Sequence, residues 1–212
     1  MSTNALLLVI TAAGLHALWN AVVKASGDRL VTTWGVVSVA ALANIPILAL
    51  FGLPVREVWW MVGLSALIHA AYNLALVVAY RRADLSFAYP VARGTAPLLV
   101  TIGGVVFLGD RISSRGFVGV LLVTLSLGLL ATQRPIRHAT WAVVTGLLIA
   151  SYTLVDGAGV RISGDSAQFV GAVFVAHAVL LTSVVVVLRR YSSLRNALTA
   201  HAGPCSWGVL PR

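Results

Sequence analysis

The chain has 212 residues, 59% of them hydrophobic and only 10% charged, with a mean hydropathy of +0.94, whereas a soluble domain carries about 25% charged residues. A water-facing surface cannot be assembled from this inventory, and the same composition excludes disordered, collagen-like and disulfide-stapled chains. The formal net charge of +9 is read as membrane topology, since no basic run or RNA-binding motif accompanies it.

Apolar runs of about 20 residues predict spans over 4–25, 31–53, 58–80, 85–108, 115–133, 140–161 and 167–188. The opening, MSTNALLLVITAAGLHALWN, has no basic n-region and runs on through Trp19 and Asn20, so a first membrane helix is expected there rather than a signal peptide. Turn-forming residues divide the later runs: Ser26-Gly27-Asp28, Gly52-Leu53-Pro54, Ser113-Ser114 with Gly116, Arg134-Pro135 and Ser163-Gly164-Asp165. Loops this short make neighbouring helices antiparallel. The expected fold class is therefore an all-α membrane protein with about seven transmembrane helices.

Lys24, Arg29, Arg81, Arg82, Arg134, Arg137, Arg189, Arg190 and Arg195 flank one side of these spans, and Arg56, Arg111, Arg115 and Arg161 flank the other. The positive-inside rule assigns the first group to the cytoplasm. The N-terminus is then outside, the C-terminal tail inside, and the location a cell (plasma) membrane. Cys205 is the sole cysteine, which excludes an intramolecular disulfide and a cysteine-based metal site.

Helix 1 reads Gly14-Leu15-His16-Ala17-Leu18-Trp19-Asn20 before Lys24, and helix 6 reads Ala150-Ser151-Tyr152-Thr153 before Asp156. Trp19 and Tyr152 align at an offset of 133 residues, and the same offset carries helix 2 onto helix 7. Five helices between the copies start the second copy from the opposite side of the membrane. That is the inverted-repeat arrangement of secondary transporters. The other reading is a chance alignment of two apolar helices.

Helices 3 to 5 carry Ala71-Tyr72-Asn73, Tyr80-Arg81-Arg82-Ala83-Asp84-Leu85-Ser86, Tyr89-Pro90-Val91-Ala92-Arg93-Gly94-Thr95-Ala96-Pro97, Leu108-Gly109-Asp110-Arg111, and Gly116 with Gly119. This stretch resembles the EamA-type transporters of the drug/metabolite transporter superfamily, over about residues 5 to 190. In that family a Pro-containing fourth helix with a later small-Pro pair leads into a Leu-Gly-acid loop and a glycine-bearing fifth helix. Asp110 stands where the family usually has glutamate. The resemblance implies ten helices in two five-helix repeats, with an end near about residue 270. The expected division is a first five-helix repeat over 1–133, two helices of the inverted second repeat over 134–190, and a polar tail over 191–212 in place of an eighth helix. A truncated or frameshifted product is the simplest expectation, and a genuine seven-helix variant the other.

Ionisable groups inside a span cost about 2.5–3.5 kcal/mol each on insertion scales, which makes them functional candidates. Counted from the expected cytoplasmic ends at about 1.5 Å per residue, His16, His69, Tyr72, Asn73, Arg93 and His177 fall in one layer about 5 Å thick. Helices 1 and 3 share a pattern, His16-Ala-Leu-Trp19-Asn20 and His69-Ala-Ala-Tyr72-Asn73, that puts the three side chains on one face of each helix. These faces are either two walls of a polar cavity or buried groups bonded between helices. Pro90 removes the donor for the Ser86 carbonyl, so a bend is expected beside Arg93, and Pro97 marks a second kink. Arg93 either binds an anion or holds the freed carbonyls; Asp28, Glu57, Asp84, Asp110 and Asp165 sit at helix ends, too far to pair with it. Asp156 either takes a proton or cation or caps a helix end near Gly157 and Gly159. Gly103, Gly104, Gly116, Gly119 and Gly128 are assigned to close helix packing.

The expected function is a secondary transporter, a permease or exporter, of a small anionic or carboxylate-bearing metabolite, working by alternating access around a midplane polar cavity. His16, Trp19, Asn20, His69, Tyr72, Asn73, Arg93, Tyr152 and His177 are the expected substrate-binding residues, with Asp156 and His16 for proton or ion coupling. No metal or other cofactor is expected. Partners are the bilayer, the solute and, should the chain act at this length, a second copy in a homodimer; nucleic acid is not expected. There is no P-loop for ATP drive, no lysine on the last helix for retinal, and neither a zinc-protease helix motif nor a nucleophile elbow for an enzyme. The competing functions are an inactive fragment and a membrane sensor or accessory subunit.

Overall fold

The computed structural model describes residues 3–131 and 140–201. These form α1 (Thr3–Ala25), α2 (Arg29–Phe51), a single 3-10 turn (Arg56–Val58), α3 (Trp59–Arg82), α4 (Leu85–Leu108), α5 (Ser114–Ala131), α6 (Thr140–Ser163) and α7 (Ser166–His201). Among the described residues there is no strand. Helices α1 to α4, α6 and α7 are long and apolar enough to cross a membrane. The remaining predicted span, α5, is apolar but has 18 residues, about 27 Å at 1.5 Å per residue against a hydrocarbon core of about 30 Å.

Local chemistry sets most of the boundaries. Asp28 caps α2 by accepting from the Val31 amide at 3.1 Å, and Asp165 starts α7 by accepting from Ala167 at 2.7 Å and Gln168 at 3.3 Å. Gly109 (φ 68°) and Gly164 (φ 76°) end α4 and α6 in the left-handed region that side-chain-bearing residues avoid. Helix α7 continues beyond the apolar run, through the basic Arg189-Arg190 pair to His201. No glycine or proline interrupts the chain between Gly171 and Gly203-Pro204, so helical propagation has nothing to stop it. Arg134, Pro135, Arg137 and Cys205 lie outside the described residues.

Helix α6 packs against α3 and α4, α7 against α2 and α3, and α5 against α4. One apolar cluster joins Leu76 and Tyr80 of α3, Ala88 and Ala96 of α4, and Ala142 and Ile149 of α6. A second joins Val58 and Val62 to Phe169 and Val173, and a third joins Val37 and Ala41 to Leu181 and Val185. Close approach depends on glycines other than several of those expected. A Cβ on Gly146 would strike Thr95 and sit 2.9 Å from the Ala92 carbonyl of α4; one on Gly94 would lie 2.9 Å from Leu127 of α5. Gly103 faces Leu154 of α6, but Gly104 lies against Asp110, Gly116 against its own preceding turn, and Gly119 and Gly128 face open space. The small-residue pattern of α5 therefore does not build a helix contact among the described residues: its apolar side chains Val118, Leu122, Leu125 and Leu129 point outward.

The helix ends meet in two sets. At one end Lys24 donates to the carbonyls of Tyr80 and Ala83, both at 2.7 Å, Arg189 pairs with Asp28, and Arg82 lies over the Trp141 ring. At the other, Arg161 pairs with Asp110 at 2.8 Å and Gln168 donates to the Phe51 carbonyl at 2.7 Å. Consecutive helices thus alternate in direction, and Lys24, Arg82 and Arg189 gather at one end.

Candidate functional site

Five helices direct polar side chains into the bundle. On α1, His16, Trp19 and Asn20 follow the three- and four-residue spacing that stacks side chains on one helix face. Trp19 Nε1 donates to His16 Nδ1 at 3.1 Å, and the two rings meet edge to face at 5.3 Å. His16 Nε2 is in contact with the Arg93 guanidinium of α4. Arg93 also lies over the Tyr89 ring of its own helix, at 5.7 Å. Helix α4 runs through Pro90 and Pro97 without interruption. Pro97 has no amide to offer the carbonyl four residues earlier, which belongs to Arg93 itself.

The second group centres on α3. His69 stacks on Tyr152 of α6 at 3.8 Å and lies 5.2 Å from the His177 ring of α7. Tyr72 meets Tyr152 edge to face at 5.7 Å. Asn73 Nδ2 donates to His177 Nε2 at 2.8 Å, with both residues buried. Ser65, fully buried, donates to the Asp156 carboxylate of α6, and its hydroxyl is 3.2 Å from His69 Nδ1. Asp156 lies in the interior of α6 and caps no helix end.

All nine expected binding residues and Asp156 make contacts inside the bundle; their hydrogen bonds and ring contacts fall into two sets, which adjoin at the cluster that includes Trp19, Tyr72 and Tyr152. His16 and Trp19 serve Arg93, whereas His69 and Tyr72 serve Tyr152 and His177. The two asparagines act between helices: Asn73 bonds His177, and Asn20 accepts from the Tyr80 hydroxyl at 2.7 Å. Within each group the polar side chains touch one another. Open volumes include one of about 300 Å³ between α4 and α6 beside Leu99, Gly103 and Leu154, and one of about 360 Å³ at the basic end beside Asp28, Arg81 and Arg189. Ser65 escaped the sequence reading, although it precedes His69 by four residues and so shares its helix face.

Donor accounting defines the chemistry around Arg93. A guanidinium offers N–H groups only, and an indole likewise. Both face the ring of His16, one at each nitrogen. A neutral imidazole has a single lone pair, so it accepts from one of them and presents its own N–H to the other. The group is short of an acceptor. Compared with known proteins, the chain matches no family model, no curated protein and no solved structure.

Proposed function

We propose that the chain is a multi-pass secondary transporter of a small anionic, carboxylate-bearing metabolite, of the EamA type, with α1 to α5 as one repeat and α6 and α7 as the start of an inverted second. One observation carries the reading: Arg93, His16 and Trp19 converge from α1 and α4 as three donors served by a single acceptor. A carboxylate supplies the missing lone pairs and the opposite charge, and a guanidinium accepts it through two parallel hydrogen bonds. The helix-3 to helix-5 motif and the antiparallel alternation of the helices support the family assignment.

In proteoliposomes containing the purified chain, uptake of small monocarboxylates should exceed uptake of their matching neutral amides. Equal rates for acid and amide would remove the anion reading, and uptake of neither, at a level above empty liposomes, would remove transport.

Orientation follows from the basic end, which the positive-inside rule puts in the cytoplasm. The only thiol, Cys205, then reacts with a membrane-impermeant maleimide only after cells are permeabilised. Labelling of sealed spheroplasts would invert the assignment.

A further inference from the structure

We infer that Ser65 joins Asp156 and His69 into a proton-carrying relay, distinct from the anion group at Arg93. The inference deepens the transport reading and rests on it for its use, but the relay itself is defined by hydrogen-bond chemistry. His69 Nδ1 lies 3.0 Å from the Ser65 carbonyl, which can only accept, so Nδ1 carries a hydrogen. The Ser65 hydroxyl is oriented by Asp156, to which it donates, and its oxygen is left to receive from His69. A hydroxyl is suited to this place because it donates and accepts at once. The direction of the chain is then fixed: His69 Nδ1–H, Ser65 Oγ–H, Asp156 Oδ1.

One proton entering at His69 Nε2 moves along that chain with the two side-chain hydrogen bonds reversed in direction and the bond from Nδ1 to the Ser65 carbonyl given up. His69 gains a proton at Nε2 and gives up the one at Nδ1 to Ser65 Oγ; Ser65 passes its own hydrogen to Asp156. The products are a neutral imidazole of the opposite tautomer, an unchanged serine and a protonated carboxyl. Net uptake is one proton. The site is well placed to keep it: Ser65 is fully buried, and all three residues lie within helices long enough to span the membrane, where an ionised carboxylate is costly. The titratable and charged groups around it are Tyr72 on α3, Tyr152 on α6 and His177 on α7, with Arg93 of α4 within electrostatic reach of Tyr152. No second carboxylate is among these neighbours, so Asp156 is the acceptor at which the chain ends.

A structural tie between α3 and α6 would look similar at rest, and the two roles separate on titration. Infrared difference spectra of the full chain in liposomes, recorded against pH, should show the C=O band of a protonated carboxyl appearing together with a switch of imidazole tautomer, at one common midpoint. Asp156→Asn keeps an acceptor for Ser65 and therefore the tie, but should lose the carboxyl band. Ser65→Ala should uncouple the two bands, with imidazolium forming in place of the tautomer switch. Should Ser65→Ala not fold, Asp156→Asn and the wild-type midpoints decide the question alone. A wild-type carboxyl band that survives in Asp156→Asn, or imidazole and carboxyl bands with separate midpoints, would overturn the relay. Loss of acid-over-amide preference with the common midpoint intact would overturn only the transport reading.

Discussion

Arg93→Gln should raise the half-saturating concentration for a carboxylate solute by about 10- to 100-fold, the equivalent of losing a hydrogen bond to a charged group worth about 1.5–3 kcal/mol. Glutamine keeps an N–H and much of the side-chain length but not the charge. Arg93→Lys keeps the charge and loses the planar fork, so it should sit between wild type and Arg93→Gln, with bidentate recognition gone. Thermal stability should change little in either variant, because the guanidinium is met by a single imidazole nitrogen of His16 and not by a network of buried carboxylates. Uptake kinetics of both variants beside their unfolding temperatures make the test. Unfolding temperatures that fall together with uptake in both variants would make Arg93 a packing residue.

The second large effect is on the fold. Gly146 sits where α6 crosses α4, and a methyl group added there would press on Thr95 and on the Ala92 carbonyl, 2.9 Å away. A side-chain hydroxyl can rotate aside, but the helical carbonyl cannot. Gly146→Ala should therefore destabilise by about 1–3 kcal/mol, the usual cost of overpacking, and Gly146→Leu should prevent accumulation of folded protein. Gly119→Ala is the control. It faces open space, so it should be neutral or gain up to about 1 kcal/mol from helix propensity. Thermal unfolding in one detergent, followed by size-exclusion chromatography, gives the comparison. Equal stability of Gly146→Ala and Gly119→Ala would mean that α4 and α6 do not cross at this glycine.

Much of the fold is legible in the sequence because its punctuation is chemical. Asp84 and Gly109 bracket α4 where the reading over 85–108 placed it, and Asp28 and Asp165 announce α2 and α7. The end of α7 was not legible from hydropathy, since a helix leaving the apolar layer needs a breaker to stop it and none precedes Gly203-Pro204. Glycines mark where helices could approach, but not which face meets a neighbour. Gly119 and Gly146 look alike in sequence and differ completely in surroundings. The candidate residues could be picked by polarity and depth. Their division into an Arg93 group and an Asp156 group depends on which helices adjoin, and the parallel between His16 and His69 conceals it. Ser65 was legible in principle by its spacing from His69. A lone serine in an apolar helix carries too little contrast to stand out.

The attachment of α1 has a mechanical consequence. Only Asn20 and Val23 of this helix are buried, and Leu7, Leu8, Leu15 and Leu18 turn away from the bundle. A tightly packed seam resists shear along its whole length. Helix α1 is held instead by a few latches: Lys24 on two carbonyls of the α3–α4 corner, Asn20 on Tyr80 and His16 on Arg93. Latches open singly, at a cost of about 1 kcal/mol for a neutral hydrogen bond such as that of Asn20 and about 1.5–3 kcal/mol for one made by a charged group such as Lys24. The latch nearest the middle of the helix grips the same guanidinium that a carboxylate would occupy. On the proposed transport reading, a carboxylate taking the guanidinium would displace His16, so that binding the anion and opening this latch between α1 and α4 would be one exchange of partners.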